Sequence, residues 1–175
     1  MPDLNAVLLE RDGRSVLRFE RLLAHPRERV WSALTERGKL EAWHPTPFVI
    51  AGEEVEFLPS PGAPDFGTGR VLALEEPALI AYTWGGDELR WTLDEREGGC
   101  LLTLEHSFAD RFKAARDGAG WHVCLTALGA LLDGGDVPPK GSARELPEGW
   151  AELNADYQRR FGISPEEATP VPDLR

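Results

Sequence analysis

The sequence predicts a single α+β domain in which an antiparallel sheet is covered by a long helix. Residues 48–108 alternate between apolar and polar side chains and are broken by short turns, which is typical of an antiparallel meander with one wet face. Behind them, Trp121, Leu125, Leu128 and Leu132 recur at the spacing of one helix face. We therefore expect this helix to lie on the apolar face of the sheet.

The composition fits one globular domain without structural metals or disulfides. The chain has 175 residues, of which 42% are hydrophobic, and a formal net charge of -11 at pH 7. That charge argues against nucleic acid or an anionic membrane surface as a partner. Cys100 and Cys124 lack the CxxC spacing and are expected to be reduced. With no signal-peptide pattern and no apolar run near the roughly 20 residues of a membrane span, a cytoplasmic protein is expected.

The N-terminal part predicts a hairpin followed by two short helices. The hairpin covers residues 7–23, with an Asp-Gly turn between its arms. The first helix is expected from Pro26 to Gly38 and the second from Lys39 to Trp43. His44 ends the second helix because the residue before a proline is driven out of helical geometry.

The middle of the chain predicts strands, and two of them alternate cleanly. In one, Leu89, Trp91 and Leu93 share a face, and in the next, Leu104 and His106 lie on the face shared with other apolar residues. The candidate strands cover residues 48–50, 53–58, 69–74, 79–84, 88–96 and 100–108.

The covering helix is expected over residues 121–132, with a possible start near Asp110. That start would place Gly118 and Gly120 inside the helix at a cost of about 1 kcal/mol each. Burial of one Leu or Trp contributes roughly 1.5 to 3 kcal/mol and outweighs this cost. The glycines then indicate a bend or a close approach to the sheet. A last helix opens at Pro147 and ends at Gly162.

Several segments occur in a characteristic order and spacing. They are Arg21–Trp31, Leu40–Trp43 before a proline, Gly69–Val71 leading to Glu76-Pro77, Leu79–Trp84, Trp91–Leu93, Leu102–Ser107 and Gly120-Trp121. Together they resemble the START-like (SRPBCC) domains, and more narrowly homologues of the activator of the ninety-kilodalton heat-shock protein's ATPase. The resemblance covers roughly residues 15–133.

The resemblance implies the helix-grip fold, in which a curved antiparallel sheet wraps around a long C-terminal helix and two short helices follow the first strand. It divides the chain into an N-terminal hairpin arm (1–14), the helix-grip domain (15–133), a loop and a C-terminal helix packed on that domain (134–162) and a flexible tail (163–175). Many such domains bind apolar molecules between the sheet and the helix. We therefore expect a lipid-, sterol- or polyketide-like partner, no cofactor, and a monomer or a homodimer.

The candidate ligand-binding residues are mostly aromatic side chains on the expected inner faces, since small-molecule sites are largely apolar with a few polar anchors. Their alternative role is to pack the core. The set is Trp43, His44, Phe48, Phe66, Tyr82, Trp84, Trp91, Leu104, His106, Trp121, Leu125 and Leu128.

Two other functions stay open from the sequence. In a cyclase- or hydrolase-type enzyme, His106 or His44 would act as acid or base, with Tyr82 nearby. In a chaperone-associated interaction module, the outer face of the sheet would dock a protein. No metal site is expected, because the four histidines are scattered and no cysteine joins them at zinc-site spacing.

Overall fold

The computed structural model describes residues 5–59, 65–140 and 146–171. It has the predicted α+β helix-grip architecture: one curved, eight-stranded antiparallel sheet, a long helix and shorter helices. The strands are β1 (Val7–Arg11), β2 (Arg14–Leu23), β3 (Phe48–Ala51), β4 (Glu54–Phe57), β5 (Thr68–Glu75), β6 (Leu79–Trp84), β7 (Asp87–Arg96) and β8 (Gly99–Phe108). Their order across the sheet is β1-β2-β8-β7-β6-β5-β4-β3.

The two short helices are α1 (Arg27–Thr35) and α2 (Arg37–Trp43). Gly38 therefore lies inside α2 and does not end α1, contrary to the expected boundary. Glu36 separates the helices because its backbone is extended, with φ -85° and ψ 125°. Its carbonyl accepts hydrogen bonds from the backbone N–H groups of the first turn of α2, at 3.0 Å from Lys39 and 2.9 Å from Leu40.

The register of the central strands confirms the predicted faces. Leu17 of β2 and Leu89 of β7 both stand opposite His106 of β8, and all three side chains are buried. In this register the inner faces of β2, β8 and β7 form one continuous surface. β1 pairs with β2 along its length, so Val7–Arg11 forms an edge strand of the same sheet.

The long helix α3 (Ala114–Asp133) covers this surface and begins seven residues before Trp121, directly after a short 3-10 turn (Arg111–Lys113). Its glycines do not approach the sheet. A Cβ built on Gly118 would lie 3.5 Å from the ring of Tyr157 on the last helix, α4 (Trp150–Phe161), and one on Gly120 would meet nothing within 4 Å. A side chain at Gly118 would thus be in ordinary van der Waals contact with α4.

The residues after α4 pack on the domain as far as the structure describes them. Ile163 is buried, the backbone N–H of Thr169 donates to the carbonyl of Phe112 at 3.0 Å, and Arg116 donates to the carbonyl of Pro170 at 3.0 Å. The segment 163–171, expected to begin a flexible tail, is therefore anchored to α3 and to the turn before it. Among the helices of the described ranges, none is both long and apolar enough to cross a bilayer.

Gly99 tests the close contact between β8 and the end of β2. A Cβ at Gly99 would lie 1.9 Å from the carbonyl oxygen of Leu23, a backbone atom that cannot rotate away. Gly99→Ala should lower the free energy of unfolding by about 1–3 kcal/mol in urea titrations. Gly120→Ala is the matched control and should raise it by about 1 kcal/mol, since alanine favours a helix interior. Equal effects of the two substitutions would contradict this packing.

Candidate functional site

Nine of the predicted site residues form one continuous cluster of rings between the sheet and α3, which we call the aromatic cluster. Each ring lies within 6.2 Å, centroid to centroid, of at least one other member, mostly edge to face. Trp121 is its centre, because its ring contacts His44, which directly follows α2, and members from β6, β7 and β8. The members are Trp43, His44, Phe48, Phe66, Tyr82, Trp84, Trp91, His106 and Trp121.

The end of α2 places two members of the cluster. The backbone leaves the helix at His44, with φ -76° and ψ 138°, as Pro45 requires. This turn directs the imidazole inward, where His44 is 0% exposed. The preceding Trp43 is anchored separately, since its Nε1 donates to the carbonyl of Ala33 on α1 at 2.9 Å.

A hydrogen-bonded centre joins His44 to the sheet. The backbone N–H of Thr46 donates to Nδ1 of His44 at 3.0 Å, so the proton of the neutral ring is on Nε2. Nε2 lies 3.1 Å from the hydroxyl oxygen of Tyr82 and donates to it. Nε1 of Trp91 donates to the same oxygen at 3.2 Å. His44, Tyr82 and Trp91 are thus connected through one atom, the Oη of Tyr82.

Burial keeps this centre uncharged. Removal from water, together with the nearby charge of Lys140, lowers the pKa of His44 to about 3. Burial likewise raises the pKa of Tyr82 well above its ordinary value. Lys140 closes the site from outside: its ammonium donates to the carbonyls of Glu41 at 2.9 Å and His44 at 2.6 Å, and burial lowers its own pKa.

A second polar centre holds the N-terminal half of α3. Nε1 of Trp121 donates to Nδ1 of His106 at 3.0 Å, so Nε2 of His106 carries the proton and donates to Oδ2 of Asp87 at 2.7 Å. Burial alone would raise the pKa of Asp87, but hydrogen bonds from His106 and Lys113 outweigh it and hold that pKa below its usual range. Both nitrogens of His106 are engaged, which makes it a connector between the sheet and α3.

Asp87, His106 and Asp117 are the described residues whose ligand atoms come close enough to suggest a metal site, all within 4.8 Å of one another. The ammonium of Lys113 already lies among them. It contacts the carboxylate of Asp87 and is 3.5 Å from that of Asp117. A metal ion would have to compete with this fixed positive charge, so the cluster fits a lysine-centred ion pair better than a metal centre.

Phe66 and Trp84 form the edge of the aromatic cluster that reaches solvent. Both side chains are half-buried, and their rings stack at 5.1 Å with an interplanar angle of 26°. Trp84 also contacts the rings of Trp121 and His106. Its Nε1 is buried and has no hydrogen-bond partner in the described part of the structure. A buried N–H without an acceptor is unfavourable in a closed core.

The other three predicted ligand-binding residues are aliphatic and belong to the same core. Leu104 stands opposite Trp91 in the β7–β8 register, while Leu125 and Leu128 lie on the buried face of α3. The tertiary structure therefore brings all twelve predicted residues into one continuous core, with Phe66 and Trp84 at its half-buried edge. Their side chains are in contact with one another there.

A groove of about 460 Å³ lies elsewhere, between β1 and the end of α4. Its walls include Leu8, Arg111, Arg160 and Phe161. Both arginines use their guanidinium groups to bind backbone carbonyls, Arg111 that of Phe161 at 2.8 Å and Arg160 that of Ala6 at 2.8 Å. None of the predicted site residues lines this groove, and its arginines serve the docking of α4.

Sequence reasoning missed four polar residues of the site. Asp87 had a usable signal, because it has the same strand parity as the inward residues of β7. Thr46, Lys113 and Lys140 had none, since each lies outside the periodic part of a helix or strand. Their roles depend on which element folds next to them.

The depressed pKa of His44 predicts a pH dependence of stability. The unfolded chain binds a proton at His44 below pH about 6.5, whereas the folded chain does not until pH about 3. The free energy of unfolding should therefore fall by up to about 1.4 kcal/mol per pH unit as the pH drops below about 6. Urea unfolding at pH values from about 7.5 to about 5, a range that includes the ordinary histidine pKa, measures this slope. In His44→Gln the slope should decrease by the contribution of one titrating proton. An unchanged slope would contradict the burial of His44 as a neutral ring.

The pairing of Asp87 with two donors predicts a clear cost for its removal. Asp87→Asn should lower the free energy of unfolding by about 1.5–3 kcal/mol, because it weakens hydrogen bonds to a charged group and leaves Lys113 without its nearest carboxylate. Asp117→Asn is the matched control and should cost less, because the carboxylate of Asp117 lies farther from Lys113, at 3.5 Å, and its other partner is the adjacent Arg116. Urea denaturation compares them, and equal losses would argue against this centre.

Comparisons with known proteins agree with this architecture. Residues 24–133 match the model of the family described as activator of Hsp90 ATPase homolog 1-like protein. A search of curated proteins by sequence found no match.

Solved structures share the fold over nearly the whole chain. A conserved protein of unknown function, EF2215 from Enterococcus faecalis, is similar with a TM-score of 0.73 and 20% identity, covering 92% of this chain and 93% of its own. CalU16 from Micromonospora echinospora gives a TM-score of 0.67 at 18% identity, over 90% and 94%. The protein encoded by gene BPP1335 of Bordetella parapertussis gives 0.65 at 29% identity, over 87% of each chain. The family match spans more than half of the sequence and runs from α1 to the end of α3, so this chain belongs to the activator of Hsp90 ATPase homolog 1-like family.

Proposed function

We propose that the protein binds a small, uncharged apolar molecule between the sheet and α3, and that the molecule enters at the edge formed by Phe66 and Trp84. The observation that carries this proposal is the indole of Trp84: it is half-buried among other rings, yet its Nε1–H has no acceptor among the described residues. A site that receives a ligand has use for such a donor, whereas a closed core does not.

The surroundings of this edge support an apolar ligand. Trp84, Trp121 and Phe66 offer ring faces and edges on which a flat or bulky apolar molecule can pack. Burial keeps His44 of the aromatic cluster neutral, and Nδ1 of His106 accepts a hydrogen bond from Trp121. The charged Asp87 and Lys113 neutralise each other at the border. A ligand that displaces the Phe66 ring would therefore enter an uncharged environment.

The histidines support binding better than acid–base catalysis. His44 and His106 each accept at Nδ1 from an N–H group and donate at Nε2, to Tyr82 and Asp87 respectively. An imidazole whose nitrogens are both engaged must break a buried hydrogen bond before it can transfer a proton. Both rings are therefore better suited to shape and hold the site.

Titration with N-phenylnaphthylamine, a neutral apolar dye that fluoresces in apolar surroundings, tests the proposal. The wild type should bind the dye with energy transfer from its tryptophans, four of which are in the aromatic cluster. Phe66→Glu places a charge at the edge of the cluster and should weaken binding about tenfold or more, because the charge must be desolvated next to the dye.

Leu22→Glu is the matched control. It introduces the same charge at a residue that is 73% exposed on β2, outside the aromatic cluster, and should leave the affinity unchanged. Absence of dye binding by the wild type, or weakening by Leu22→Glu but not by Phe66→Glu, would refute this site.

A further inference from the structure

We propose that the bound molecule carries a neutral acceptor oxygen, such as the carbonyl of an aromatic ketone or quinone, and that the hydroxyl of Tyr82 donates its proton to it. This inference rests on the proposed function and adds the chemical class of the ligand. It follows from an account of the hydrogens around the Tyr82 oxygen.

The hydrogen bond from Thr46 fixes the tautomer of His44. A backbone N–H can only donate, so the 3.0 Å contact from Thr46 leaves Nδ1 of His44 without a proton. The neutral ring then carries its proton on Nε2, 3.1 Å from the Tyr82 oxygen. His44 is thus a donor to Tyr82 and cannot serve as the acceptor of its hydroxyl proton.

Trp91 is a second donor to the Tyr82 oxygen. An indole nitrogen is a donor only, and Nε1 of Trp91 lies 3.2 Å from the same oxygen. The Tyr82 oxygen therefore accepts twice, which uses both of its acceptor positions. Its own O–H proton is left over, and none of the described residues accepts it. Since Tyr82 is 0% exposed, bulk water does not reach it either.

A second buried donor without an acceptor among the described residues lies near Tyr82. Trp84 stands two residues further along β6 on the same face, roughly 7 Å away along the strand, and its buried Nε1–H also lacks an acceptor. Two unpaired donors on one strand face fit a ligand with acceptor oxygens. A donor-only amine would leave both of them unpaired.

The surroundings of Tyr82 favour a ligand without charge. Within the aromatic cluster no cation faces Tyr82, and the ammonium of Lys140 is turned to the carbonyls of Glu41 and His44. A carboxylate would be desolvated there without an opposite charge, which is strongly unfavourable. A neutral carbonyl on a flat aromatic frame offers an acceptor oxygen and carries no charge. The surrounding rings pack against the frame, and the hydroxyl of Tyr82 supplies one directional hydrogen bond.

A matched pair of probes tests this assignment. Fluorenone and fluorene share one tricyclic frame, and only fluorenone has a carbonyl. In displacement of N-phenylnaphthylamine, the wild type should bind fluorenone about tenfold more tightly than fluorene, the effect of one buried hydrogen bond whose donor otherwise stays unpaired. Tyr82→Phe should abolish this preference.

Tyr157→Phe is the control, since it removes the other tyrosine hydroxyl, which lies 2.9 Å from Nδ1 of His122 outside the aromatic cluster. This variant should keep the preference for fluorenone. Equal affinities of the wild type for the two probes, or a preference that survives in Tyr82→Phe, would overturn the inference while leaving the proposed function intact. If the wild type binds the dye and neither probe displaces it, this inference fails alone, whereas a wild type that does not bind the dye refutes the proposed function and this inference with it.

The infrared carbonyl stretch of bound fluorenone provides a measurement that does not depend on the folding of Tyr82→Phe. Donation from the hydroxyl should lower the stretching frequency in the wild type relative to fluorenone in hexane. The shift should persist in Trp84→Phe, which keeps Tyr82 and removes the indole donor. A frequency equal to that in hexane, or a shift that disappears in Trp84→Phe, would overturn the assignment to Tyr82.

Discussion

The packing of the sheet against the helices depends on the hydroxyl oxygen of Tyr82. This atom accepts hydrogen bonds from Trp91 on the neighbouring strand and from His44 at the end of α2, so it joins three elements inside an otherwise apolar interior. An indole or imidazole N–H left without a partner there would be costly, and the two bonds therefore fix where α2 can end. Because Pro45 ends α2 at His44, the helix cannot continue for another turn, and the imidazole of His44 stays next to Tyr82. The rings of Trp43 and Trp121 then pack around a position that is already determined.

The second polar centre has the same construction at the other end of the cluster. His106 receives a hydrogen from Trp121 on α3 and gives one to Asp87 on β7, so the long helix is connected to two strands through one imidazole. Lys113, just before α3, supplies the positive charge that balances Asp87. Both histidines therefore act as neutral connectors with a defined tautomer. The result is an aromatic cluster whose nearest charged groups, Asp87 and Lys113, pair with each other, which agrees with the uncharged ligand proposed above.

Much of this site follows from the sequence through strand parity. The alternation in β7 and β8 correctly predicts that Trp91, Leu104 and His106 face inward, and the same rule applied to the first residue of β7 would have found Asp87. The order of elements was predicted closely. Some boundaries differ: Glu36 and not Gly38 marks the break between α1 and α2, and α3 begins at Ala114 and not at Trp121. Thr46 and Lys140 escape such reasoning because a loop residue has no periodicity that indicates its neighbours.

The sequence by itself determined which face of each strand and helix is apolar, because a period of two or of 3.6 residues assigns each side chain to a side of its own element. It also determined the end of α2, through the steric restriction before Pro45. Only the tertiary structure decided which buried N–H meets which oxygen. His44 meets Tyr82 across 38 residues of sequence, and Lys140 reaches the carbonyl of His44 across 96. Periodicity carries no information on such pairs, since they depend on how two elements are placed relative to each other. For that reason the tautomers of both histidines, and with them the unpaired proton of Tyr82, are properties of the assembled fold.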